Sequence, residues 1–212
     1  MCSVGRIAAA CGLALCLAAA ASARADMIDM TGVEPWHLCG GCHGLDGAGN
    51  SVKFPRIAGQ PEEYIVGQLQ AFLSGRRRND GGQMQATVTE IAEEDFPRVA
   101  RWFAGQTPPW PNQTLEADAD ALRIRQIAVQ GVKGVPGCLS CHHAYPTEVG
   151  AEIVPRIAGQ RDFYIVKQLT DYRDGKRDGI VMQLIAKELS DSDIGGLAVF
   201  LSRNPALHER SQ

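Results

Sequence analysis

Residues 55–78 read PRIAGQPEEYIVGQLQAFLSGRRR, and residues 155–177 read PRIAGQRDFYIVKQLTDYRDGKR, one hundred positions later. Matching at this length and spacing marks an internal repeat, which decides the architecture before any single element does. Upstream of each copy stands Cys-x-x-Cys-His, as LCGGCHG at 38–44 and GCLSCHH at 137–143, offset by 99. Downstream, GGQMQATVTEIAEEDFPRVARWFAG matches GIVMQLIAKELSDSDIGGLAVFLSR without a gap at an offset of 98, which pairs Met84 with Met182. The chain is therefore a tandem duplication. Between the copies lies GQTPPWPNQTLEADAD, whose Pro108, Pro109 and Pro111 cannot continue a helix and stiffen an extended linker. The expected division is a first unit over 26–106, a linker over 107–117 and a second unit over 118–212.

The first 25 residues stand apart. Arg6 precedes a run of small and apolar residues that ends in Ala23-Arg24-Ala25, a small-residue cleavage signal. They read as a secretory signal peptide cut before Asp26. The alternative is a retained anchor, for which Ile7 to Ala23 falls slightly short of the ~20 residues that span a bilayer. Cleavage removes Cys2, Cys11 and Cys16 and leaves four of the seven cysteines, all within the two Cys-x-x-Cys-His motifs. An exported chain with no other cysteine has no disulfide framework, so these four need one common explanation. The full chain has a formal charge of −3, and losing Arg6 and Arg24 makes the remainder more acidic. Electrostatics of that sign exclude a nucleic-acid binder. The basic cluster GRRRND at 75–80 is short and reads as solvated loop charge, with contact to an acidic partner or to carboxylates of a cofactor as the alternative.

The local patterns are helical. Tyr64, Leu69, Phe72 and Leu73 share one face, as do Tyr164, Leu169 and Tyr172 in the second copy. Gly75 and Gly175 stand where a helix would close with a left-handed residue. Ser190 followed by Asp193 resembles a capping box, while Ala92 occupies the corresponding place in the first copy and caps less well. DADALRIRQIAVQG at 118–131 reads as a helix leading into the second cysteine motif. No long alternating pattern indicates a strand, so the expected class is all-α.

Three chemistries begin with Cys-x-x-Cys. A zinc site draws two such pairs together at about 15–20 residues, whereas these lie in different repeats. A thioredoxin-like dithiol needs no histidine after the second cysteine. Covalent haem attachment uses all three residues: the thiols of Cys39 and Cys42, and of Cys138 and Cys141, add to porphyrin vinyl groups, and His43 or His142 follows as an axial ligand. Outside the leader the methionines are Met27, Met30, Met84 and Met182. Met84 and Met182 recur with the histidines after glycine-containing loops and are the expected sixth ligands, the plain alternative being core filling. His/Met ligation leaves no open position and suits electron transfer. Pro55 and Pro155 follow the histidines by 12 and 13 residues and offer carbonyls to their second ring nitrogens. His37, His143 and His208 do not recur and read as local structural residues.

The order Cys-x-x-Cys-His, P-x-I-A-G-Q, Y-x-x-x-Q-L, G-x-R and Met, duplicated in one exported chain, resembles the dihaem cytochrome c4 family from about Pro35 to Leu201. The resemblance implies two tandem class I cytochrome c domains and two covalently bound haem c groups. It implies axial pairs His43/Met84 and His142/Met182, with Pro55 and Pro155 as carbonyl acceptors. It also implies a periplasmic protein, often at the inner-membrane surface, that is an electron carrier rather than an enzyme. Its redox partners would be a bc1-type quinol-oxidising donor and a haem–copper oxidase acceptor. The alternative is the cytochrome subunit of a dehydrogenase, such as a sulfide-oxidising flavocytochrome c. A dihaem peroxidase would need one displaceable ligand, against which the two equivalent methionines argue. One departure is that only 13 residues, Asp26 to Leu38, precede Cys39 after the expected cleavage, too few for the long first helix of a class I domain. The other is His143 after the second ligand, where the first motif has Gly44.

Overall fold

Among the described residues four α-helices build each repeat, and their boundaries follow from residues at their ends. The structure is a computed structural model that describes residues 32–49, 51–109, 118–142, 147–149 and 152–203. The expected leader, His143, His208 and most of the linker lie outside those residues. The first repeat holds α1 (Pro35–His43), α2 (Glu62–Leu73), α3 (Gln83–Val88) and α4 (Phe96–Ala104). The second holds α5 (Ala119–Gln130), α6 (Asp162–Arg173), α7 (Ile180–Lys187) and α8 (Asp191–Arg203). The described residues are mostly helical, as expected.

Pro35 opens α1, where its missing N–H costs no hydrogen bond. Glu62 and Glu63 place negative charge at the positive end of α2. Beyond α2 and α6 the chain reverses through Gly75 (φ 70°) and Gly175 (φ 72°), a conformation that disfavours any residue with a Cβ. The Asp118 carboxylate accepts the Ala121 N–H and caps α5. Ser190 and Asp193 form a reciprocal box: Asp193 N–H donates to Ser190 Oγ, and Ser190 N–H donates to Asp193 Oδ2. Ala92 offers no such side chain, and the chain enters α4 through a 3₁₀ turn at Glu93–Asp95.

Two apolar clusters form, one per repeat. In the first, α2 packs on α4 and buries Ile65, Leu69, Phe72, Val88, Phe96, Val99 and Phe103. In the second, α6 packs on α7 and α8, and α5 lies on α8, burying Ile124, Ile127, Ile165, Ile194, Leu197 and Leu201. Each fully buried Phe or Leu contributes about 1.5–3 kcal/mol relative to exposure. Where α5 covers α8 in the second repeat, the first repeat sets short α1 against α4. There Trp36 stacks on Trp102 with ring centroids 4.8 Å apart, and Trp102 Nε1 donates to the Leu45 carbonyl.

The helical expectation missed one feature. Strands β1 (Thr147–Val149) and β2 (Glu152–Val154) pair antiparallel, Thr147 opposite Val154. They are too short to show a pattern of alternation, but their Val, Ile and Thr residues favour extended backbone. The hairpin leads directly into Pro155. No helix among the described residues is long and apolar enough to cross a membrane.

Candidate functional site

Cys39 and Cys42 lie one turn apart on α1, so both face the same side. Cys138 opens a 3₁₀ turn that carries the chain through Cys141 to His142. None of the four is in a disulfide. Burial pushes Cys39 and Cys138 up to a pKa of about 11, so they are held as neutral thiols. A redox dithiol needs the opposite shift. Nor do three His, Cys, Asp or Glu side chains converge as a metal-ion cage among the described residues.

His43 is buried at 6% exposure, and its Nδ1 lies 2.9 Å from the Pro55 carbonyl oxygen. His142 Nδ1 lies 2.8 Å from the Pro155 carbonyl oxygen. A carbonyl only accepts, so Nδ1 carries the proton in both and Nε2 presents a lone pair. Burial lowers the His43 pKa from its ordinary value, with the Pro55 contact partly opposing it, and keeps the ring neutral. A neutral imidazole oriented by a backbone acceptor is the form in which histidine ligates a metal.

Met84 is the second residue of α3 and packs against the first cluster; its N–H donates to the Asp80 carboxylate. Met182 is the third residue of α7 and half-buried. The glycine loops thus end just before each methionine, and both methionines sit in the first turn of a short helix rather than in the loop. Beside Met182, Ile180 and Leu184 present apolar side chains at 76% and 60% exposure, the kind of surface an apolar macrocycle would cover. His37 is exposed on α1 next to Trp36.

The PRIAGQ segments explain themselves position by position. Pro55 and Pro155 supply the histidine acceptors. Gly59 (φ 63°) and Gly159 (φ 73°) take the left-handed conformation, which turns their N–H groups onto Phe103 and Leu201 carbonyls at 2.9 Å. Each loop is thereby tied to the last helix of its own repeat. The glutamines reach the other way. Gln160 Oε1 accepts the Arg56 N–H at 2.9 Å, and its Nε2 donates to the Arg56 carbonyl at 2.8 Å. Gln60 does the same to Arg156, at 3.0 and 2.8 Å. Both glutamines are 7% exposed.

A second reciprocal set lies further along the seam. Arg77 donates to Tyr164 and Gln168 of the opposite repeat and to its own Gln68. Arg177 donates to Tyr64, Gln68 and its own Gln168. Asn79 bridges to Gln168 and Asp171, and Lys167 pairs with Asp171. The GRRRND cluster is therefore not uniformly solvated: Arg76 and Arg78 are exposed while Arg77 is buried. Tyr64 and Tyr164, read from periodicity only as sharing a helix face with apolar residues, turn their hydroxyls to this seam. The glutamine and arginine contacts escaped the sequence reading; the available signal was the recurrence of Gln, Tyr, Gln and Arg at a constant offset of one hundred.

No family model matches the chain. Cytochrome c4 of Pseudomonas aeruginosa is 33% identical over 171 residues, covering 77% of this chain and 82% of the relative. A thiosulfate dehydrogenase electron acceptor of Thiomonas intermedia is 30% identical over 173 residues, covering 79% and 78%. The crystal structure of reduced recombinant cytochrome c4 from Pseudomonas stutzeri superposes with a TM-score of 0.66 at 28% identity, covering 78% of this chain and 92% of that one.

Proposed function

The chain belongs to the cytochrome c4 family, and on that premise we propose that it is a free periplasmic carrier, working at the inner-membrane surface between a bc1-type quinol-oxidising donor and a haem–copper oxidase. It is a dihaem electron-transfer cytochrome with two covalently bound haem c groups and two class I cytochrome c units. In our reading Cys39, Cys42, His43 and Met84 would hold one group. Cys138, Cys141, His142 and Met182 would hold the other. Bound haem supplies a one-electron iron couple, and His/Met ligation raises its potential while leaving no position for substrate.

The chain's own groups supply the rest. The Pro55 and Pro155 carbonyls fix the tautomer and orientation of the histidines and increase the basicity of Nε2. The apolar clusters beside each motif exclude water. The observation that carries the carrier reading is the sameness of the two histidine contacts, at 2.9 and 2.8 Å. A dihaem enzyme needs one site unlike the other.

A second reading has the chain accepting electrons from a sulfur-compound dehydrogenase, by contact or as its subunit. It is favoured by the name of the Thiomonas relative. Gel filtration of the native protein with its co-eluting chromophores separates the two. A flavin-free particle of one or two chains supports the free carrier; a larger particle with dehydrogenase activity makes it an enzyme's cytochrome subunit.

A further inference from the structure

The histidine acceptor in each repeat is itself held by the other repeat. Pro55 C=O and Arg56 N–H belong to one peptide group. The carbonyl accepts from His43 Nδ1, and the N–H donates to Gln160 Oε1 from the second repeat. The same amide returns a bond from Nε2 to the Arg56 carbonyl. These two contacts lock the peptide on both sides of Arg56. Gln160 Oε1 also accepts the Arg161 N–H at 2.9 Å, which ties the clamp to its own repeat. Around His142 the mirror arrangement runs through Pro155, Arg156 and Gln60.

We infer that Gln60 and Gln160 are crossed positioning residues: Gln160 sets the His43 contact of the first repeat, and Gln60 sets the His142 contact of the second. Two physical effects act together. The clamp orients the peptide plane, and therefore the carbonyl that the imidazole meets. Donation of the peptide N–H also polarises the amide and puts more negative charge on its carbonyl oxygen, strengthening it as an acceptor, a cooperative gain of roughly 10–30% per bond. Both glutamines are buried, so water does not readily replace a lost amide. A substitution in one repeat is thus felt at the histidine of the other. The inference rests on His43 and His142 being the haem ligands.

The test uses the full haem-loaded chain, reduced, with ¹⁵N-labelled histidine. Solvent exchange of the two ring N–H protons is followed by NMR. Gln160→Met removes all three hydrogen bonds of the amide at similar side-chain length, and the ring N–H of His43 is expected to exchange about fivefold faster, while that of His142 changes less than twofold. Gln60→Met should give the reverse pattern. The reduction step of the affected site, followed by optical titration, should shift in each variant while the other step holds. Gln160→Asn keeps the amide but shortens its reach, and carries the same test if the methionine variant does not accumulate. The inference is overturned if each variant moves its own repeat's histidine, if both histidines respond equally, or if neither does. Haem content and a sharp diamagnetic spectrum of the reduced unsubstituted protein report the ligation reading separately, so its failure is not mistaken for failure of the crossing.

Discussion

The capping box at the start of α8 can be weighed quantitatively, because one carboxylate carries it. Asp193 Oδ2 accepts from Ser190 N–H at 3.0 Å and from Ser190 Oγ at 2.6 Å, and Oδ1 pairs with Arg123 on α5. Burial alone would raise the carboxyl pKa, but the Ser190 and Arg123 hydrogen bonds overcome it and hold the pKa at about 2, against an ordinary 3.8. At 1.36 kcal/mol per tenfold change in proton affinity, that difference corresponds to about 2.4 kcal/mol. Arg123 is half exposed, so solvent screens its share and ~2 kcal/mol is the working figure. Asp193→Asn mimics the protonated acid and should lower stability by that amount at pH 7, which is about 4–8 °C in melting temperature. Because the folded pKa is depressed, the contribution is complete above about pH 4 and is lost as pH falls through 2. Melting curves of the haem-loaded protein and the variant should therefore differ at pH 7 and 5 and converge towards pH 2. A difference that is constant with pH, or below about 1 °C at pH 7, would refute the reasoning. The site is affected too, since Leu201 at the far end of α8 holds Gly159.

Two further perturbations test other links. Met84→Ala and Met182→Ala should each let the reduced protein bind about one carbon monoxide per chain, where the unsubstituted protein binds none; rapid binding without substitution would sink the double His/Met assignment. Arg161 donates to the Phe54 and Gly49 carbonyls of the first repeat, at 3.1 and 2.6 Å, while Pro61 stands at the matching position of the first copy and donates nothing. Arg161→Ala should cost about 2 kcal/mol and speed amide exchange at Ile57 and Ala58, leaving the second repeat's amides unchanged.

How much was legible divides by the range of the interaction. The repeat, the helix ends at Gly75 and Gly175, the Asp118–Gln130 region and the Ser190 box could be read because each rests on residues a few positions apart. Periodicity also found Leu69 and Phe72 correctly as core. It did not find the role of Tyr64 and Tyr164, since an amphipathic face does not say whether it meets an apolar core or a polar seam. Arg77 looked like its exposed neighbours for a similar reason: burial of one arginine among three depends on Tyr164 and Gln168, about ninety residues away. The hairpin was too short for alternation to register, and the first turns of α3 and α7 begin so close to glycine loops that loop and helix were indistinguishable.

The crossed contacts bear on why the two PRIAGQ copies match while their surroundings differ. Within a copy, Pro and Gly serve the repeat that carries them, through the histidine and the last helix. Gln serves the other repeat, and Arg56 or Arg156 supplies the backbone it grips. Replacing one glutamine by an apolar residue strips a buried N–H and a buried carbonyl in the opposite loop of their partner, at about 1–3 kcal/mol for each group left unsatisfied. A compensating change cannot be made in the loop, because the groups that lose their partner are backbone. The segment is thus constrained from both repeats at once. The side chains at the next position, Pro61 and Arg161, face no such reciprocal demand and can differ.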